Sequence, residues 1–167
     1  MKITTILIIS LIAISSLIAA FLPDSTFNPA SDQPLTEEEK QGLIYIREEE
    51  KLARDVYLEM LDKYNSRVFD NISDAEYRHM SFVKDLLDKF SVEDPVRSND
   101  RGVFVNIDLS AAYKKLVEQG NVSLIDALRA GAEIEEMDIA ELNKELAKVN
   151  NKDIINTYGY LKKGSEN

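Results

Sequence analysis

The chain has 167 residues, with no Cys, no Trp and one His, and 30 acidic against 20 basic side chains set its formal net charge at −10. That length favours a single domain, and the Cys count excludes disulfides, thiolate metal sites, thiol nucleophiles and lipid attachment at a lipobox cysteine. The lone imidazole, His79, excludes sites that need two, and the acidic balance argues against a sequence-independent grip on nucleic acid while suiting cations.

Met1-Lys2 precedes an uncharged run from Ile3 to Leu22 that ends at Pro23-Asp24. A short basic start, an apolar stretch and the small pair Ala19-Ala20 read as a secretory signal peptide. A run of this length also suits a membrane anchor, so residues 1–22 are expected to be one or the other. Either way the folded part is expected outside the cytoplasm, secreted or tethered, with membrane contact only through this segment. Residues 23–34 hold Pro23, Pro29 and Pro34 among Ser, Asp and Asn, and read as a flexible linker. The remaining 35–167 form one helical domain.

Thr36 with Glu39 makes a capping-box pattern, and Glu37, Glu38 and Glu39 suit the positive end of a helix. This first helix is expected to reach Tyr64, with an inward stripe Leu43, Ile46, Glu50, Ala53, Tyr57, Met60, Tyr64 at the spacing of a bundle seam. A second helix is expected from near Ser73 to Phe90, with the stripe Glu76, His79, Val83, Leu87, Phe90. Pro95 and Gly102 break the stretch that follows, in which Leu109 to Gln119 reads as a short helix stopped by Gly120. A third long helix runs from after Ser123 to about Val149, with the stripe Leu128, Gly131, Glu135, Asp138, Leu142, Val149. Asn150-Asn151 turns into a last, short helix presenting Ile154, Tyr158 and Leu161. No strand alternation or repeat stands out. The pattern predicts an all-α chain, a four-helix bundle of ferritin-like arrangement with one long crossover between helices two and three.

Burying a carboxylate costs several kcal/mol unless it is paired or bound to metal. Glu50, Glu76, His79, Glu135 and Asp138 all project from apolar stripes. Glu76-x-x-His79 and Glu135-x-x-Asp138 are i, i+3 pairs, so each pair shares one helical face. These five are the expected metal ligands, in the manner of a ferritin-like di-metal centre. Each also has a plainer reading. Glu50 sits in Glu48-Glu49-Glu50-Lys51, and a charge run is usually a solvated face. Glu76 lies three residues after Ser73 and could close a capping box. His79 could be a hydrogen-bonded core histidine, and Glu135 could pair with nearby Lys or Arg. Tyr57 lies two turns beyond Glu50, placed to bond a ligand or give up an electron, though a core tyrosine whose hydroxyl finds a partner is the plainer reading, and Arg54 is placed to bridge a carboxylate behind the ligands.

The segment Glu48-Glu49-Glu50-Lys51-Leu52-Ala53-Arg54-Asp55-Val56-Tyr57 resembles the first helix of a ferritin-like family known as domain of unknown function 2202. The resemblance continues through Phe69-Asp70-Asn71-Ile72, Glu76-Tyr77-Arg78-His79-Met80, Asp94-Pro95-Val96 and Gly102-Val103-Phe104. It then takes in Gly120, Ser123-Leu124, Asp126-Ala127-Leu128, Ile134 to Ile139 and Tyr158 to Ser165. Glu50-x-x-Ala53-Arg54-x-x-Tyr57 is also similar to the first ligand helix of rubrerythrins, which implies Glu50 rather than Glu49 as the ligand. The resemblance implies a ferritin-like fold and an iron or manganese site, and no particular reaction. Family members continue past Gly164-Ser165 with a segment reading about Asn-His-Leu-Arg-Ala-Phe, whereas this sequence ends at Asn167. The resemblance therefore implies a short fourth helix lacking its histidine.

Two functions compete on these residues. One is a metal-binding protein, in its enzyme form a di-iron oxidoreductase, that oxidises Fe(II) or reduces peroxide or oxygen outside the cytoplasm. The other is a metal-poor helical interaction module that forms a homodimer to complete its bundle. His79 is the only candidate base for a hydrolase, and no G-x-S-x-G pattern accompanies it.

Overall fold

The computed structural model describes residues 34–166, all of it helix and connecting chain with no strand among them. The expected signal or anchor, 1–22, and the linker up to residue 33 lie outside the described residues. Within them no helix is long and apolar enough to cross a membrane. Five helices follow one another: α1 Glu37–Tyr64, α2 Arg67–Lys89, α3 Ile107–Gly120, α4 Leu124–Leu146 and α5 Lys152–Ser165. α1 packs against α2, α3 and α4; α4 also packs against α3 and α5, and α2 against α5.

The capping box forms as its residue types require. Thr36 Oγ1 accepts from the Glu39 amide at 3.1 Å, and the Thr36 amide donates to Glu39 Oε2 at 2.9 Å. Glu39 Oε1 also accepts from the Asn150 and Asn151 amides, so the start of α1 clasps the α4–α5 turn. Burial opposes ionisation of Glu39, but these backbone amides outweigh it and hold the carboxyl below its ordinary range. Asn65, in the left-handed region at φ 48, ends α1.

α2 starts at Arg67, six residues before the expected Ser73. Asp70, Asn71, Ser73 and Asp74 are weak helix formers and read locally as a turn. Burial of Phe69 and half-burial of Ile72 override that preference. Ser73 is thus mid-helix, its hydroxyl donating to the Asp70 carbonyl at 2.9 Å, and Glu76 closes no capping box. Leu128, expected to face inward, is 47 % exposed, and its neighbour Ala127 takes the buried place.

The core is split along the helix axes. One cluster joins Leu43, Ile46, Val83, Leu87, Leu142, Ile154, Tyr158 and Leu161. The other joins Leu52, Val56, Met60, Phe69, Leu109, Leu116, Ala127, Ala130 and Ile134. Between them, along α1, α2 and α4, falls a layer of acids and one imidazole.

α1 is buried on every side from Ile46 to Tyr57, charged residues included. One face of its charge run grips the crossover between α2 and α3. Arg47 donates to both oxygens of Asp94, at 3.1 and 3.0 Å. Lys51 donates to the Asp100 carbonyl at 2.8 Å and to Asp55. Asp55 accepts from Arg54 and from the Gly102 amide, while Glu48 accepts from the Val105 and Asn106 amides. Gly102 is required here: its φ is 73, and a Cβ would stand 2.5 Å from the Tyr113 ring.

Candidate metal centre

The opposite face of the same run turns inward. Glu50 is 1 % exposed, and neither of its carboxyl oxygens has a hydrogen-bond partner. From α2, the i, i+3 spacing sets Glu76 and His79 side by side, with His79 Nδ1 3.0 Å from Glu76 Oε2. The same nitrogen lies 3.2 Å from Glu50 Oε2, though not aligned for a hydrogen bond. One donor atom from each of Glu50, Glu76 and His79 lies within 4.8 Å of the others. Gly164 of α5 closes the far edge of the imidazole, where a Cβ would stand 2.6 Å from Nε2.

Glu135 and Asp138 enter the same layer from α4 but stand outside that triad. Tyr57 donates to Glu135 Oε1 at 2.6 Å, with the Gly131 carbonyl 3.1 Å from the same hydroxyl. Ser165 donates to Asp138 Oδ2, and Asp138 Oδ1 has no partner. The five expected residues thus share one layer, three as a compact donor set and two as hydrogen-bonded neighbours. Arg54 pairs with Asp55 beneath the crossover rather than with these acids.

The electrostatics follow from packing carboxyls together away from water. Burial, then the charges of Asp138 and Glu76, raises the Glu50 carboxyl well above its ordinary range. Burial and the Glu76 charge push Glu135 up to about 7 against the opposing bond from Tyr57. Burial pushes Asp138 up to about 6, with the Ser165 bond opposing it and the Glu76 charge adding to it. Burial and the Glu135 carboxylate together raise the Tyr57 phenol as well.

A cavity of about 340 Å³ opens beside the layer, with Glu76, His79 and Glu135 on its wall among Phe69, Ile72 and Ala132. Glu49, set aside in favour of Glu50 on the sequence resemblance, is also buried, with Oε2 unpartnered. The signal was there: its neighbours three and four residues away, Tyr45, Ile46, Leu52 and Ala53, are all apolar.

Comparison with known proteins gives consistent matches. The profile of a family described as an uncharacterized protein domain, DUF2202, matches residues 39–167. The chain is 52% identical over 135 residues to uncharacterized protein MJ0754 of Methanocaldococcus jannaschii, covering 81% of this chain and 73% of that protein. It also matches the crystal structure of hypothetical protein MJ0754 from Methanococcus jannaschii with a TM-score of 0.79 at 52% identity, covering 80% of this chain and 76% of that one.

Proposed function

From the premise that this chain belongs to the DUF2202 family, we propose that it is a ferritin-like metal-binding protein holding iron or manganese between its helices. In this reading α1, α2, α4 and α5 are the four helices of the bundle, and the crossover carries α3. The observation that carries it is Glu50: a carboxylate without a hydrogen bond in the core, 3.2 Å from the only imidazole in the chain. A structural role alone leaves that arrangement costing several kcal/mol, whereas a bound cation repays it.

The donor set fits such a metal. Carboxylate oxygens with one imidazole suit iron and manganese, and no thiolate competes. Glu50, Glu76 and His79 would hold the ion, with Glu135 and Asp138 placed to join or to balance its charge. Tyr57 orients Glu135 and Ser165 orients Asp138, as hydrogen-bonded neighbours of ligands do. Phe69, Ile72 and Ala132 keep the approach apolar and restrict bulk water. When bound, the metal would supply redox chemistry toward Fe(II), oxygen or peroxide. In this reading the apolar start of the sequence serves as signal or anchor, and the activity would lie outside the cytoplasm.

The test is metal content. The full chain, loaded anaerobically with Fe(II) or Mn(II) and dialysed, is expected to retain metal, and Glu50→Ala and His79→Ala to lose it. Retention equal in Glu50→Ala, or none in the parent, overturns the reading. One observation favours the second reading, a metal-poor module that dimerises: Leu124, Ile125 and Leu128 expose an apolar ribbon along α4. A dimer mass by light scattering in a chain that retains no metal would select it.

A further inference from the structure

The cavity beside the acid layer runs from the surface into the core. Asn71 of α2, Leu128 and Ala132 of α4 and Gly164 of α5 form its mouth, and all four are exposed. Tyr57, Phe69, Glu76 and His79 form its floor, and all four are buried. Leu128, which the helical spacing sets on the inward stripe, is thus exposed as part of an apolar rim. The volume of about 340 Å³ is more than twice the roughly 150 Å³ that suffices for benzene in an apolar protein cavity. Molecular oxygen, hydrogen peroxide or a single ion would leave most of it unfilled. Apart from Asn71, the polar side chains on the wall belong to the acid layer: Glu76, His79, Glu135 with its partner Tyr57, and Ser165 bonded to Asp138. Phe69, Ile72, Ala75, Leu128 and Ala132 make the rest apolar.

Charge and hydration narrow the occupant. Among the described residues the wall carries no Lys or Arg, and its carboxyls, Glu76 and Glu135, disfavour an anion. Apolar side chains give a hydrated cation nothing in exchange for its water. What fits is uncharged, apolar over most of its length and able to hydrogen-bond at one end. We propose that this cavity binds a small uncharged organic molecule with one terminal oxygen function, an alcohol or the matching hydroperoxide. Its apolar body lies against Ile72, Leu128 and Ala132, and its oxygen points toward Glu76 and His79. On the benzene ratio, a molecule of roughly ten to fourteen non-hydrogen atoms fills the space. Naming this molecule as the substrate rests on the metal reading above and narrows it to an organic compound. The binding itself requires no metal.

The experiment titrates the full chain, without added metal, with cumyl alcohol, a redox-inert probe of this class. Saturable binding is expected by isothermal calorimetry, with nuclear Overhauser contacts from the phenyl protons to the methyl groups of Leu128 and Ala132. Ala132→Phe and Ala75→Leu fill the cavity, and each is expected to weaken binding by roughly tenfold or more, the loss of about two buried methylenes. Ala140→Phe, at an exposed site on α4 away from the wall, is expected to bind as the parent does. The carboxylate of the same carbon skeleton is expected to bind at least roughly tenfold more weakly than the alcohol. No saturable binding by the parent, unchanged binding in both filled variants, or equal affinity for the carboxylate overturns the proposal. So does binding that disappears as the chain dimerises, because a second copy then fills the groove. If Ala132→Phe fails to fold by circular dichroism, Ala75→Leu and the Overhauser contacts decide. Alcohol binding by a chain that retains no Fe(II) or Mn(II) would overturn the function proposed above and leave this pocket standing. Metal retention without alcohol binding would do the reverse.

Discussion

The acid layer makes the metal-free protein respond to pH in a direction opposite to ordinary acid denaturation. Glu135 is pushed up to about 7 from an ordinary value of 4.5, and Asp138 up to about 6 from 3.8, burial being the main cause in both. Between those limits the folded chain keeps protons that the unfolded chain has released. Stability therefore falls as pH rises through that window. At about 1.4 kcal/mol per pH unit, each carboxyl costs the fold roughly 3 kcal/mol at pH 8. Asp138 is part of what raises Glu135, so the two costs overlap, and roughly 3–5 kcal/mol is expected for the pair. The assay is urea unfolding of metal-stripped protein, followed by circular dichroism at pH 5, 6, 7 and 8. The range stops at pH 5 because Glu39, held low by backbone amides, loses its contribution in more acid solution. Saturating Mn²⁺ is expected to reverse the slope, since deprotonation then favours the bound form. Metal-free stability that is flat or rises from pH 5 to pH 8 would refute the argument.

Two further perturbations bear on how the layer is held in place. Asp55→Ala strips Lys51 and Arg54 of their shared carboxylate. A buried pair broken on one side is expected to cost about 3–5 kcal/mol, read as a drop in the urea midpoint. Gly102→Ala sets a side chain at positive φ and against the Tyr113 ring, and is expected to cost about 1–3 kcal/mol by the same measurement, with circular dichroism at 222 nm unchanged.

Much of this architecture was legible because packing and chemistry imposed one period. The stripes Leu43, Ile46, Glu50, Ala53, Tyr57 and Ile154, Tyr158, Leu161 are buried as their spacing requires. Thr36 and Glu39 cap α1 because the motif is local and complete. The start of α2 was not legible, since Asp70 to Asp74 prefer a turn and only the distant contacts of Phe69 hold them helical. The five site residues do share a layer, because a polar residue on an apolar stripe has nowhere else to go. The burial of Glu48, Lys51, Arg54 and Asp55 was hidden for a different reason. A charge run resembles a wet surface unless one knows that a crossover folds over it, and that cover comes from residues about fifty positions later in the chain.

That cover changes what α1 can tolerate. An ordinary amphipathic helix has a solvent stripe where sequence drifts freely. From Ile46 to Tyr57, about 18 Å of helix, α1 has none. A hydropathy profile would class this charged stretch among the most permissive in the chain. A saturation mutagenesis screen should instead find it intolerant at nearly every position, because each side chain serves the crossover, the acid layer or the apolar core.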